Sequence, residues 1–150
     1  MTETPTDERL SVSVVIPAYF EEKTIGAVVE NCLPYADEVL VVNDGSTDDT
    51  TNIAQAAGAS VVDLVENVGV LGATQIGLRE ASGDIIVTLD ADGQHDPSEI
   101  SKVIKSIVEG KADLVMGARP SFPYFSERIL TWLTSRRVPV SDASTGFRAV

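Results

Sequence analysis

A chain of 150 residues with 43% hydrophobic content is long enough to bury most of its surface around one core, and none of its apolar runs approaches the ~20 residues that a membrane helix needs. Its 11 basic and 23 acidic residues leave a net charge of −12, which excludes nonspecific attraction to nucleic acid or anionic lipid over the whole surface. The single cysteine, Cys32, excludes an internal disulfide and a thiolate metal cluster and reads as a small core hydrophobe.

Residues 1–10 are polar, carry Glu3, Asp7 and Glu8, and lack the basic-then-apolar order of a signal peptide, so they read as a flexible, cytoplasmic start to one domain over 11–150. Leu10 to Pro17 has strand composition, and Pro17 is expected to end it by withholding a backbone donor. From Lys23 to Leu33, Ile25, Val28, Val29 and Cys32 recur at helical spacing, and Pro34 stops the helix. A second strand, Glu38 to Val42, runs into the polar turn from Asn43 to Thr50 and a helix from Thr50 to Ala57 that Gly58 closes. Ser60 to Val65 is a third strand, followed by a Gly-bearing loop and a small-residue helix from Leu71 to Ala81. The fourth strand, Ile85 to Leu89, precedes Asp90-Ala-Asp92-Gly-Gln94-His95-Asp96-Pro97. Pro97 and Ser98 start a helix with a core face of Ile100, Val103, Ile104 and Ile107, ended by Gly110. Asp113 to Gly117 reads as a fifth strand ending near Arg119, and Ile129 to Ser135 as a further helix.

Strand and helix alternate in short units without a repeat or linker, which predicts an α/β fold: a mostly parallel sheet with helices on both faces. In such sheets ligands sit beyond the carboxyl ends of the strands, near a switch in strand order. Four strand ends carry polar signatures there: Pro17-Ala18-Tyr19, Asn43-Asp44-Gly45-Ser46, Asp90-Ala91-Asp92 and Gly117-Ala118-Arg119. One crevice is expected to gather them.

Asp90 and Asp92 are two residues apart at a strand tip, so a pleat that persists points both carboxylates one way, ~7 Å apart along the backbone. Two hard oxygen donors on one side suit Mg²⁺ or Mn²⁺, which keep other positions for water and for the oxygens of a nucleotide diphosphate. Gln94 and His95 add further ligands or supporting partners, although a lone histidine in a loop often does neither. Asp44 is either part of a turn or a fixed acceptor for a base or ribose. Asp48 and Asp49 suit the start of a helix, where the dipole favours negative charge. Six of the eleven basic residues lie from Lys111 onward, among them Arg119, Arg128, Arg136, Arg137 and Arg148, enough for a positive pocket on an acidic protein.

Together, Val14-Val-Ile-Pro-Ala-Tyr19-Phe-Glu21, Val41-Val-Asn-Asp44-Gly-Ser46, Asn67-Val-Gly69, Asp90 to Pro97, Met116-Gly-Ala-Arg119 and Asp142-Ala-Ser-Thr-Gly146-Phe-Arg148 resemble, in order and spacing, the family 2 glycosyltransferases of GT-A, Rossmann-like fold. The likeness is strongest to polyprenyl-phosphate sugar synthases typified by dolichyl-phosphate mannosyltransferase. It implies that Pro17, Ala18, Tyr19, Glu21, Asp44 and Ala91 bind the donor nucleotide and that Asp90, Asp92 and Gln94 hold the cation. It further implies that Arg119, Arg128, Ser144 and Arg148 meet an acceptor phosphate, with Asp92, Asp142 and Arg119 as the catalytic set.

The implied reaction is metal-dependent, inverting transfer of a sugar from a GDP-mannose or UDP-glucose type donor to a polyprenyl or dolichyl phosphate, peripheral to the cytoplasmic membrane face. A lipid phosphate with a second pKa of about 6 is largely dianionic at pH 7 and attacks without a general base. A sugar hydroxyl as acceptor requires one, and Asp142 is the candidate. A non-catalytic nucleotide-sugar-binding fragment is the remaining alternative; sugar-phosphate nucleotidyltransferases and dinucleotide-dependent dehydrogenases want a Gly-rich loop that Ile16-Pro-Ala-Tyr19 lacks. In similar enzymes the catalytic domain continues beyond the Gly-Phe-Arg segment, so the domain is expected to be incomplete at its C-terminal end, and an open sheet edge is a route to homodimerisation.

Overall fold

The computed structural model describes residues 9–116 and 148–150. Ten elements follow in chain order: β1 (Val12–Ala18), α1 (Ile25–Cys32), β2 (Glu38–Asn43), α2 (Thr50–Ala56), β3 (Ser60–Asp63), α3 (Gly69–Glu80), β4 (Ile85–Thr88), α4 (Ile100–Val108), β5 (Val115–Met116) and β6 (Arg148–Ala149). Short 3₁₀ turns, Leu33–Tyr35 and Pro97–Glu99, follow α1 and precede α4. The sheet order is β3-β2-β1-β4-β6-β5. The first four strands are mutually parallel, whereas β6 is antiparallel to both of its neighbours.

The strands of the centre are apolar on both sides because helices cover both sides. Along β1, Val12, Val14, Ile16 and Ala18 join Ile25, Val28, Val29 and Cys32 of α1, Ala54 of α2, and Ile100 and Val103 of α4 in one cluster. Val15 points the other way and packs with Leu40, Val42 and Ala73 of α3. The two-residue alternation of a strand thus divides β1 between a three-helix layer and a one-helix layer. Cys32 is fully buried in the larger cluster, and burial pushes its thiol up to about 11. It packs as a hydrophobe. On the opposite face, a Cβ added at Gly77 would lie 2.3 Å from Val15 Cγ1 and 3.1 Å from Val42 Cγ2. The missing side chain lets α3 lie directly on β1 and β2.

Element order follows the sequence reading, and four differences have physical causes. Pro17 does not end β1, which continues through Ala18 in register with Asn43. The carbonyls of Val12 and Ala18 accept N–H groups from the β2 side (Asp37, Asp44), and that of Val15 accepts one from Leu89 on the β4 side. Alternation therefore turns the donorless nitrogen of Pro17 toward β4, beyond the last β1–β4 pair, Val15 with Thr88. Nothing there requires a donor, and the two strands separate. Asp48, rather than Asp49, serves the start of α2: its Oδ1 accepts the Thr50 N–H at 3.2 Å, while Asp49 at the N-cap position makes no capping bond.

The third difference is the span of α3, which begins at Gly69 instead of Leu71. The fourth is β6, a strand that the sequence reading does not contain and that enters between β4 and β5. Its two residues are too few for a periodicity signal. Of the expected flexible start, residues 1–8 lie outside the described residues, while the Arg9 guanidinium pairs with the Asp37 carboxylate. The helix expected at Ile129 to Ser135 and the strand end at Gly117-Ala118-Arg119 also lie outside the described residues. No helix among the described residues is long and apolar enough to cross a membrane.

Candidate functional site

The chain leaves β1 for β2 and β3 on one side, then returns through α3 to place β4 on the other side of β1. This is the switch in strand order at which open α/β sheets form a crevice. A cleft of about 400 Å³ occupies it, lined by Pro17, Ala18, Tyr19, Glu21, Asp44, Asn67, Gly69, Val70, Ala73, Asp90, Ala91 and Asp92. Three of the four polar strand ends named from sequence meet here.

Each wall is held by its own local bonds. The β1 wall turns at Phe20, whose φ of 57° is the left-handed region that a side chain rarely occupies. Its N–H donates to Ser46 Oγ at 2.9 Å, and the next N–H, of Glu21, donates to Thr50 Oγ1 at 3.0 Å. The Glu21 carboxylate accepts Thr24 Oγ1–H at 2.8 Å. The loop after β1 is thereby fastened to the loop after β2, and Tyr19 is half-exposed at the cleft with its ring edge-on to Phe20.

Asp44 follows β2 and is 3% exposed. Its Oδ1 accepts the Val68 N–H at 2.7 Å, and Asn67 Nδ2 donates to its carbonyl at 3.2 Å. Gly45 makes this approach possible: at φ 77°, an added Cβ would stand 3.0 Å from Asn67 N and Glu66 C. Two loops are thus joined through Asp44, whose carboxylate spans 24 residues to reach Val68. Asn67, Gly69, Val70 and Ala73 were not among the site residues expected from sequence. The Asn67-Val-Gly69 turn was the available signal, and its positive φ at Gly69 is what aims the start of α3 at the cleft.

After β4, Leu89 and Ala91 are buried, Asp90 is half-buried and Asp92 is exposed. Asp92 Oδ1 accepts the Gln94 N–H at 3.0 Å, and Asp90 Oδ2 lies 3.2 Å from His95 Nε2. Gln94 is exposed and does not line the cleft, so it meets Asp92 through its backbone. Among the described residues no group of three or more His, Cys, Asp or Glu side chains is arranged to hold a metal. Two carboxylates on one wall fit a Mg²⁺ or Mn²⁺ whose other positions go to water and diphosphate oxygens, which is how Mg²⁺ is commonly bound.

Arg119, Arg128, Asp142 and Ser144 lie outside the described residues. Arg148 opens β6, its backbone in register with Thr88 of β4 and Met116 of β5. It therefore stands at the same end of the sheet as the Asp90 loop, two positions along the neighbouring strand.

A glycosyl transferase family 2 model matches residues 13–139. The chain is 36% identical over 133 residues to the UDP-N-acetylglucosamine–dolichyl-phosphate N-acetylglucosaminyltransferase of Methanococcus voltae, covering 75% of this chain and 53% of that protein. It is 32% identical over 139 residues to the dodecaprenyl-phosphate galacturonate synthase of Rhizobium johnstonii, covering 83% of this chain and 41% of that protein. The chain thus spans about half the length of the curated relatives it matches. Among solved structures, glucosyl-3-phosphoglycerate synthase from Mycobacterium tuberculosis, in complex with Mn²⁺, UDP-glucose and phosphoglyceric acid, superposes with a TM-score of 0.81 at 30% identity, over 94% of this chain and 56% of that one. The sheet order, the crevice and these matches agree: the chain belongs to glycosyl transferase family 2, with the GT-A fold.

Proposed function

We propose that this chain forms the donor-binding part of a metal-dependent, inverting glycosyltransferase. It moves a sugar from a GDP-mannose or UDP-glucose type donor to a polyprenyl or dolichyl phosphate at a membrane surface. The observation that carries this reading is that Pro17, Ala18, Tyr19, Glu21, Asp44, Ala91 and the acids Asp90 and Asp92 all line one cleft at the switch point. The polyprenyl-phosphate acceptors in the names of the Methanococcus and Rhizobium relatives support the acceptor class. The Mn²⁺ and UDP-glucose of the mycobacterial complex support the donor class and the cation.

In this reading Tyr19, Glu21 and Asp44 hold the base and ribose, and the Ala91 backbone meets the ribose. Asp44 suits that role because its carboxylate is already tethered through Oδ1, and a tethered acceptor loses little freedom on binding. Mg²⁺ or Mn²⁺ held by Asp90 and Asp92, with Gln94 as a further ligand, would supply charge neutralisation on the diphosphate as the sugar–phosphate bond breaks. Arg119, Arg128, Ser144 and Arg148 orient the acceptor phosphate, whose planar match to guanidinium favours arginine. The attacking phosphate oxygen reaches the face of the sugar opposite the leaving diphosphate, and its own charge makes a general base unnecessary. A second reading, transfer to a hydroxyl with Asp142 as base, is favoured by phosphoglyceric acid in the mycobacterial complex.

Calorimetric titration of UDP, GDP, UDP-glucose and GDP-mannose, with and without Mn²⁺, tests the donor site. One nucleotide is expected to bind in a Mn²⁺-dependent way, and Asp92→Ala is expected to weaken it at least tenfold. Absence of binding by all four, in a chain whose circular dichroism is that of a folded α/β protein, sinks the proposal.

A further inference from the structure

We infer that His95 is a positioning residue for the cation site, a clasp that presets Asp90 before any ligand arrives; the inference rests on the donor-site reading above. The stretch from Asp90 to Ser98 is held by three local bonds. Asp92 Oδ1 accepts the Gln94 N–H at 3.0 Å, His95 Nε2 lies 3.2 Å from Asp90 Oδ2, and Asp96 Oδ1 accepts the Ser98 N–H at 2.9 Å. Gly93, at φ 77°, makes the reversal between the first two. The chain leaves β4, turns outward through Asp92 and Gly93, and returns through His95 to the carboxylate it began from.

His95 is the only histidine in the chain. Its side chain is 13% exposed, against 39% for the Asp90 side chain that it meets. An ionised carboxylate only accepts, so Nε2 carries the proton of this bond, and it carries it in either charge state of the ring. The bond pins one oxygen of Asp90 and so sets the rotation of the carboxylate, and Oδ1 is the oxygen that would take a cation. Asp92 is treated likewise by the loop backbone. Both acids are therefore oriented by N–H groups that cannot themselves ligate a cation, the Gln94 backbone N–H and the His95 ring N–H, and hydrogen-bonding partners of metal-ligating groups typically account for 10- to 100-fold in metal affinity. A histidine in this position accounts for why the loop spends its one half-buried polar ring on a carboxylate instead of on the cleft.

The test is a Mn²⁺ titration of the 150-residue chain, followed by electron paramagnetic resonance of the free ion, with saturating UDP and separately with saturating GDP. His95→Ala is expected to raise the Mn²⁺ dissociation constant 10- to 100-fold. His95→Gln, whose amide N–H can reach the same oxygen, is expected to recover most of that loss, which a general loosening of the loop would not do. Thermal melts of both variants without Mn²⁺ accompany the titration. If wild type binds Mn²⁺ and His95→Ala binds it within twofold of wild type, the clasp is overturned and the donor site stands. If His95→Ala lowers the melting temperature and His95→Gln restores the melt but not the affinity, the role is structural and the inference is again overturned. If wild type takes up no Mn²⁺ with either nucleotide, the cation reading itself falls and the clasp with it.

Discussion

At the scale of single residues, the cleft is built from polar groups that answer one another across loops. Asp44 is the clearest case, because one carboxylate oxygen both completes the Val68 N–H and fixes the wall of the cleft. Truncation to alanine leaves that N–H without its partner, at a cost of about 1–3 kcal/mol. Urea denaturation of Asp44→Ala is expected to show that loss, and Asp44→Asn, which keeps an acceptor oxygen of the same reach, less than half of it. Equal losses in the two variants would mean that charge, not the bond to Val68, holds the loops together. Sequence reading found Asp44 but left its role open between turn and ligand acceptor, because the Val68 bond spans 24 residues and no local pattern encodes it. The same reason hid Val70 and Ala73.

At the scale of elements, apolar periodicity and turn residues located every helix among the described residues and the first five strands, since each buries a face whose spacing is written locally. Boundaries moved where tertiary context decided: β1 runs past Pro17 because the neighbouring strand has already diverged, and α3 starts early because Gly69 turns it toward the cleft. The packing of α3 rests on the absence of a side chain at Gly77. Gly77→Ala would push a methyl group against Val15 and Val42, and overpacking of this kind costs about 1–3 kcal/mol despite the better helix propensity of alanine. A urea midpoint lowered with an unchanged slope is the expected result; a variant as stable as wild type would show that α3 can move outward at no cost.

At the scale of the whole molecule, hydrogen bonds hold several carboxylates of this acidic protein in their ionised form. Burial alone would raise the Glu38 carboxyl, but bonds from the Ser13 hydroxyl and from the Ser82 N–H and hydroxyl outweigh it and hold the group below its ordinary value of 4.5. The Ser11 hydroxyl and N–H lower Asp84, and Ser98 lowers Asp96, both from an ordinary value of 3.8. A group held low in the folded state binds protons more readily unfolded, so its stabilisation is present above its unfolded value and disappears as pH falls through its folded one. Stability measured by urea is therefore expected to be level above about pH 4.5 and to fall below it, with a shallower fall in Glu38→Gln. An identical acid limb in that variant would remove Glu38 from the account. Fold class was legible at this scale because strand–helix alternation leaves few alternatives; the antiparallel insertion of β6 was not, because two residues carry no period.

That insertion also gives the molecule a history. The strands β3, β2, β1 and β4 are all specified by residue 88, yet the partner of β4 on its far side is residues 148–149, so 59 residues (89–147) separate β4 from β6. At ribosomal speeds of about 5–20 residues per second, that interval lasts roughly 3–12 s. Throughout it, the Ile86 N–H and carbonyl that finally pair with Val150 face outward from a nascent parallel sheet. Chaperone capture, or pairing with another growing chain, competes for the molecule during those seconds, and the arrival of β6 closes the window.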